Sequence, residues 1–133
     1  MAIKKYKIPK KSKTPISKIQ RQIWELCKQI IRKKYGNVCY TCNRTGLEAS
    51  NWHTGHVFPK AALGAYLKYD LRFLRPQCYN CNINLGGNGA VFIDKLRAIE
   101  GQEYVSRMIE DRIITVKAYD HYVKILEEYK KLI

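Results

Sequence analysis

Residues 74–82 read Leu74-Arg75-Pro76-Gln77-Cys78-Tyr79-Asn80-Cys81-Asn82, and a knuckle of the same spacing, Cys39-Tyr40-Thr41-Cys42, stands upstream of them. Two residues between paired cysteines let both thiolates reach one tetrahedral ion from a tight turn, and two such knuckles complete a four-cysteine zinc site with no open position. A closed site is structural, and in a small domain its binding free energy becomes folding free energy. Disulfides are disfavoured inside a reducing cell. A thioredoxin-like pair would sit at a helix start after a buried strand, whereas both knuckle interiors here are polar. The fifth cysteine, Cys27, lies four residues from both Ile23 and Ile31, where a thiol packs as a small hydrophobe.

A plain zinc ribbon closes its knuckles over roughly 15 to 20 residues, yet 35 residues separate Cys42 from Cys78. The insertion contains Asn51-Trp52-His53-Thr54-Gly55-His56-Val57-Phe58-Pro59-Lys60, with two of the three histidines three apart. Asn82 follows Cys81 directly, held by the metal-bound turn. His53, His56 and Asn82 therefore form the candidate constellation, while Lys60 and Arg75 are candidates for phosphate clamping or for plain surface charge. The third histidine, His121, reads as an ordinary helix residue.

Outside this region the period is helical. Ile16, Ile19, Ile23, Cys27, Ile30 and Ile31 recur every three or four residues, with Ser17 expected as cap, Gln20 in the capping-box position and Gly36 as stop. Short strands and loops are expected over 37–82, where Gly46, Gly55, Pro59, Gly64 and Pro76 break every longer pattern. After Gly86-Gly87-Asn88-Gly89, helices are expected through Val91, Phe92, Leu96 and Ile99, through Tyr104, Val105, Met108 and Ile109, and from about Val116 with Tyr119, Tyr122, Val123, Leu126 and Tyr129 buried. The fold class is α+β: a small zinc-containing core flanked by an N-terminal helix and C-terminal helices. Residues 1–15 are expected as a flexible basic arm and 16–133 as a single domain; those last helices could pair two copies into a homodimer or close the monomer's own core.

The 133 residues carry 25 Lys and Arg against 11 Asp and Glu, a formal charge of +14. Residues 1–34 hold twelve of the bases against Glu25 alone, including Lys4, Lys5, Lys7, Lys10, Lys11 and Lys13 in the arm. A polyanion partner is implied, because each base that neutralises a phosphate releases condensed counterions. Nucleic acid comes first; an anionic membrane is disfavoured because the arm has no apolar face to insert, and a solubility tail is the remaining reading. No apolar run approaches a membrane span, and the N-terminus lacks the apolar core of a secretory signal, so an intracellular protein is expected.

The Cys39-x2-Cys42 knuckle, Trp52-His53-Thr54-Gly55-His56, Arg75-Pro76-Gln77-Cys78-x2-Cys81-Asn82 and the following Gly87-Asn88 together resemble the HNH, or ββα-metal, nucleases. More closely, they resemble the branch of endonuclease VII and the phage recombination nucleases of the NinG/Rap family, over about residues 37–92. The resemblance implies a β-hairpin bearing the histidines, a short helix near the second knuckle and one divalent ion, Mg2+ or Mn2+, between them. His56 then looks like the general base and Asn82 like a metal ligand. It further implies a DNA substrate, branched recombination intermediates such as Holliday junctions or D-loops being plausible, and for a phage protein the host cytoplasm.

Two positions depart from the family pattern. Where the residue before the base is often an acidic or His ligand, this chain has Gly55, so the ligand role passes to His53. Where a central Asn often orients the base, it has Phe73, leaving Asp70 and Asn88 as candidates for support. The chemistry asked of these residues is hydrolysis of a phosphodiester. A neutral imidazole, with an ordinary pKa of about 6.5, is suited to taking a proton from water, and a hard cation is suited to stabilising charge on phosphate and leaving oxygen. A zinc ribbon that binds nucleic acid without cutting it is the competing expectation.

Overall fold

The computed structural model describes residues 14–133. Lys4, Lys5, Lys7, Lys10, Lys11 and Lys13, and with them the arm up to residue 13, lie outside the described residues. The chain is α+β and mostly helical, with one two-stranded sheet. Helix α1 (Ile16–Tyr35) buries Ile19, Ile23, Leu26, Cys27, Ile30 and Ile31, the expected stripe apart from Ile16, which is exposed. It ends at Gly36, whose φ of 72° only glycine adopts freely. The cap expected at Ser17 is not made: the cap position falls two residues earlier, at Pro15, whose carbonyl accepts from the amides of Lys18 and Ile19.

Strands β1 (His53–His56) and β2 (Leu74–Gln77) pair antiparallel, with His53 opposite Gln77 and His56 opposite Leu74. They are joined by residues 57–73, which include a one-turn helix, α2 (Gly64–Leu67), in place of a tight hairpin turn. Helices α3 (Gly89–Glu100), α4 (Gln102–Glu110) and α5 (Ala118–Lys130) follow. No described helix is long and apolar enough to cross a membrane.

The core has two parts. In one, the α1 stripe packs against Leu74 of β2, against the cysteine knuckles and against Tyr122, Ile125 and Leu126 of α5. In the other, Phe73, Phe92, Leu96, Val105 and Met108 join Val57, Leu63 and Leu67. Val91 and Ile99 on α3 and Ile109 on α4, which carried the helical period, are exposed, and of the residues expected buried on α5 Val123 lies at 37% exposure while Tyr119 and Tyr129 are half-buried. In each helix the 3.6-residue period admitted two stripes, and the neighbouring helix chose one: Phe92 and Leu96, Val105 and Met108, Tyr122 and Leu126 face inward. Leu74 ties β2 to the first part, and Val57 and Phe73, directly beyond the two strands, belong to the second.

Candidate metal centre and histidine site

The first knuckle is a tight turn closed by the Cys39 amide on the Arg44 carbonyl and the Asn43 amide on the Cys39 carbonyl, with Asn43 at φ 66°. The Tyr40 amide donates to the Pro76 carbonyl at 2.8 Å, tying this turn to β2. The second knuckle runs straight out of β2 into a π turn, Asn80–Asn84, whose Leu85 amide reaches back to the Asn80 carbonyl. Together they bring the sulfurs of Cys39, Cys42, Cys78 and Cys81 within 4.8 Å of one another. Tetrahedral Zn–S bonds of about 2.3 Å place sulfurs about 3.8 Å apart, and Cys42 and Cys78 stand at 3.7 Å.

Three of the four sulfurs have a hydrogen-bonding neighbour outside the cluster's other sulfurs. Cys78 Sγ accepts from the Cys81 amide, Cys81 Sγ from Asn88 Nδ2 at 3.8 Å, and Cys39 Sγ lies 3.4 Å from the Thr41 hydroxyl. At Cys39 burial works against ionisation, but hydrogen bonds from Thr41 and from neighbouring amides outweigh it and lower the thiol to about 6, whereas burial, with the neighbouring thiols, pushes Cys42 up to about 12 and Cys81 upward. The donor set, its spacing and its hydrogen bonds fit a structural zinc ion. Cys27 is separate: fully buried beside the Tyr69 carbonyl, it is pushed up to about 12 by burial and by Asp70.

Asn82 sits in the π turn directly after the second knuckle, and its Nδ2 stands 3.0 Å from His53 Nδ1. The other ring nitrogen, Nε2, donates to the Ser50 carbonyl at 2.8 Å, which leaves the Nδ1 lone pair aimed at Asn82. The Tyr79 ring meets the imidazole edge-on at 5.6 Å. His53 opens on a shallow cavity of about 650 Å3 lined also by Arg44, Asn51, Trp52 and Tyr79.

His56 ends the same strand, but side chains alternate along a strand, and residues three apart point to opposite faces. His53 looks toward the π turn; His56 stacks on Trp24 of α1, with ring centroids 5.4 Å apart and planes 7° from parallel. Its Nε2 donates to the Lys68 carbonyl at 3.2 Å, leaving Nδ1 as the basic atom. Burial, then the charges of Lys60 and Lys68, push its pKa below the ordinary histidine value, against the opposing effect of the Lys68 carbonyl. The structure therefore joins His53 to Asn82 and holds His56 separately.

The two candidates for support act elsewhere. Asp70 accepts from the amide and guanidinium of Arg72, and Asn88 donates to Cys81 Sγ. Lys60 is exposed, with its ammonium 5.7 Å from the Trp24 ring, on the His56 side of the sheet. Arg75 corrects the expectation of a phosphate clamp: it is fully buried, donates to the carbonyls of Leu71, Arg72 and Leu74, reaches Glu100 and Tyr104, and lies over the Tyr35 ring. Its three carbonyl acceptors are local, but the groups that enclose it, Tyr35, Tyr40, Glu100 and Tyr104, are distant in sequence, so the local sequence carried no sign of burial. His121 bonds the Tyr66 carbonyl from α5, as an ordinary helix residue does.

Sequence reasoning missed two participants. The Lys68 carbonyl has no side-chain signature. Trp24 flanked the apolar stripe and was legible only as packing.

The family model described as Bacteriophage Lambda NinG protein matches residues 1–133, the whole sequence. Neither the curated proteins nor the solved structures show a match.

Proposed function

The chain belongs to the bacteriophage lambda NinG protein family, and from that premise we propose that it is a metal-dependent DNA endonuclease of the HNH, or ββα-metal, class acting on branched recombination intermediates. The observation that carries this reading is the approach of Asn82 Nδ2 to His53 Nδ1 at 3.0 Å, beside the four-cysteine cluster. A strand and a zinc-anchored turn converge there on one nitrogen lone pair and one amide, and a half-turn of that amide offers its oxygen instead.

His53 and Asn82 would hold a divalent cation, Mg2+ or Mn2+. Bound there, it supplies Lewis-acid stabilisation of charge on the phosphate. Two neutral donors bind Mg2+ weakly and borderline ions better, so Mn2+ is expected to support activity at least as well. Because β1 turns His53 and His56 to opposite faces, this reading requires the DNA strand to lie across the end of the sheet, where His56 takes the proton of the attacking water at Nδ1, its Nε2 proton being engaged by the Lys68 carbonyl. Exposed Lys60 supplies positive charge beside it for the phosphate. Lys18, Arg21, Arg32, Lys33 and Lys34, exposed along α1, with the six arm lysines, hold the DNA backbone.

A second reading, a zinc-dependent DNA-binding module without cleavage, is favoured by the strand that turns His53 and His56 to opposite faces and by the absence of a carboxylate at Gly55. One experiment separates the two. Zinc-loaded protein is incubated with supercoiled plasmid and a labelled four-way junction, with Mg2+, Mn2+ or EDTA, beside His56→Ala. Metal-dependent cutting lost in the variant is the expected result; tight binding with no product under any metal replaces the nuclease reading with the binding module.

A further inference from the structure

We infer that Trp24 is the positioning residue for the His56 imidazole, so that helix α1 contributes to the histidine site as well as to the core. Its catalytic meaning rests on the reading of His56 as the base; the positioning itself is a property of the ring and is measurable without cleavage.

A histidine at the end of a strand turns about two side-chain bonds. The hydrogen bond from Nε2 to the Lys68 carbonyl fixes one ring atom and leaves the plane free to pivot about it. The indole, 7° from parallel at 5.4 Å, removes that pivot.

Trp24 is itself held. It lies between Ile23 and Leu26, both buried on α1, packs at 53° against Tyr69, and is approached over its ring by the Lys60 ammonium. Tyr69 is anchored in turn by the Tyr129 hydroxyl on its carbonyl and by the Tyr122 ring, both from α5.

The charged groups that act on His56 are Lys60 and Lys68, both cations. No carboxylate among the described residues bonds its ring. An imidazole ordinarily relies on a carboxylate or amide to set its tautomer and direction. Here the Lys68 carbonyl selects the Nε2–H tautomer only while the Trp24 indole holds the ring plane in line with it, so the two contacts together order the ring, with Phe73 at the position where an orienting Asn was expected.

The test is 15N NMR of the His56 ring in the zinc-loaded full chain, with cleavage kinetics measured beside it, for wild type, Trp24→Phe and Trp24→Ala. Wild type is expected to show one tautomer, protonated at Nε2. Trp24→Phe keeps an aromatic face and is expected to retain it, which guards against a variant that merely misfolds; zinc content and melting temperature are checked for both. Trp24→Ala is expected to show a mixture of tautomers and a kcat lowered about 10- to 100-fold with KM little changed, a fraction of the 10²–10⁴-fold that a positioned base supplies. A folded Trp24→Ala protein whose His56 keeps the single Nε2–H tautomer overturns the inference. Wild type that shows the ordered ring but cuts no DNA overturns the nuclease reading alone.

Discussion

Gln77 occupies the space that any side chain at position 55 would need: a Cβ on Gly55 would lie 1.8 Å from Gln77 Oε1 and 2.6 Å from its Cδ. Gln77 cannot swing aside cheaply, since it is fully buried and its Nε2 donates to the Thr41 hydroxyl at 3.1 Å and to the Gly87 carbonyl at 2.8 Å. A side chain before His56, acidic or otherwise, is therefore sterically disfavoured by a glutamine on the facing strand. Gly55→Ala should destabilise the zinc-loaded protein by about 1–3 kcal/mol through overpacking. Gln77→Ala alone should also cost stability, by unpairing Thr41 and Gly87. The double variant should lose less than the sum of the two, because the truncated Gln77 makes room for the methyl group. Strictly additive losses in urea melts would show that the two side chains do not compete for one space.

What the sequence made legible was local. The α1 stripe and its stop at Gly36 follow from a 3.6-residue period and one glycine, and the cysteine cluster follows from two spacings. The opposite facing of His53 and His56 was also available, since a strand through Gly55 has period two. The contacts that decide the site's chemistry were not available. Gln77 against Gly55, Trp24 against His56 and the Lys68 carbonyl at Nε2 join positions 12 to 32 residues apart. No periodicity encodes such pairs.

His56 makes the protein's stability depend on pH in a defined direction. Its folded pKa lies below the ordinary value of about 6.5, chiefly because burial disfavours the imidazolium. As pH falls through that ordinary value, the unfolded chain binds a proton that the folded ring refuses, so stability drops, levelling off once pH is below the folded pKa. Replacing His56 by Gln removes this contribution. The difference in stability between wild type and His56→Gln, followed by denaturant melts from pH 8 down to about pH 5, should shift against wild type on acidification. A difference that stays flat would mean that His56 titrates alike in both states.

The zinc ion should be inseparable from the fold. A strong chelator should abolish cooperative unfolding and zinc should restore it, since structural sites supply on the order of 10 kcal/mol of apparent binding free energy. Cys39→Ser, Cys42→Ser, Cys78→Ser and Cys81→Ser should each fail to retain stoichiometric zinc. Cys27→Ser should retain it, because Cys27 lies on the buried stripe of α1 with its thiol at the Tyr69 carbonyl, outside the four-sulfur cluster. Metal content by mass spectrometry under native conditions checks all five; zinc loss in the Cys27 variant would contradict the assignment.

Arg75 and Lys60 make the sharpest contrast between a structural and a nucleic-acid-facing cation. Arg75 Nη1 lies within hydrogen-bond reach of three backbone carbonyls, at 2.7 to 3.3 Å, and its guanidinium is enclosed by Tyr35, Tyr40 and Tyr104. Arg75→Ala removes the donor and leaves those carbonyls and Glu100 without it, a loss of about 3 kcal/mol or more. Arg75→Met refills much of the volume and should cost less, yet it cannot restore the hydrogen bonds. Neither change alters a charge that DNA can touch, so under conditions where the variants remain folded the salt dependence of DNA binding should be that of wild type. Lys60→Ala should do the reverse: near-neutral in melts, with the slope of log K against log salt reduced by about one phosphate contact. Should Arg75→Met flatten the slope while Lys60→Ala leaves it intact, the DNA would have to approach from the Arg75 side of the sheet, and the docking of phosphate beside His56 would be wrong.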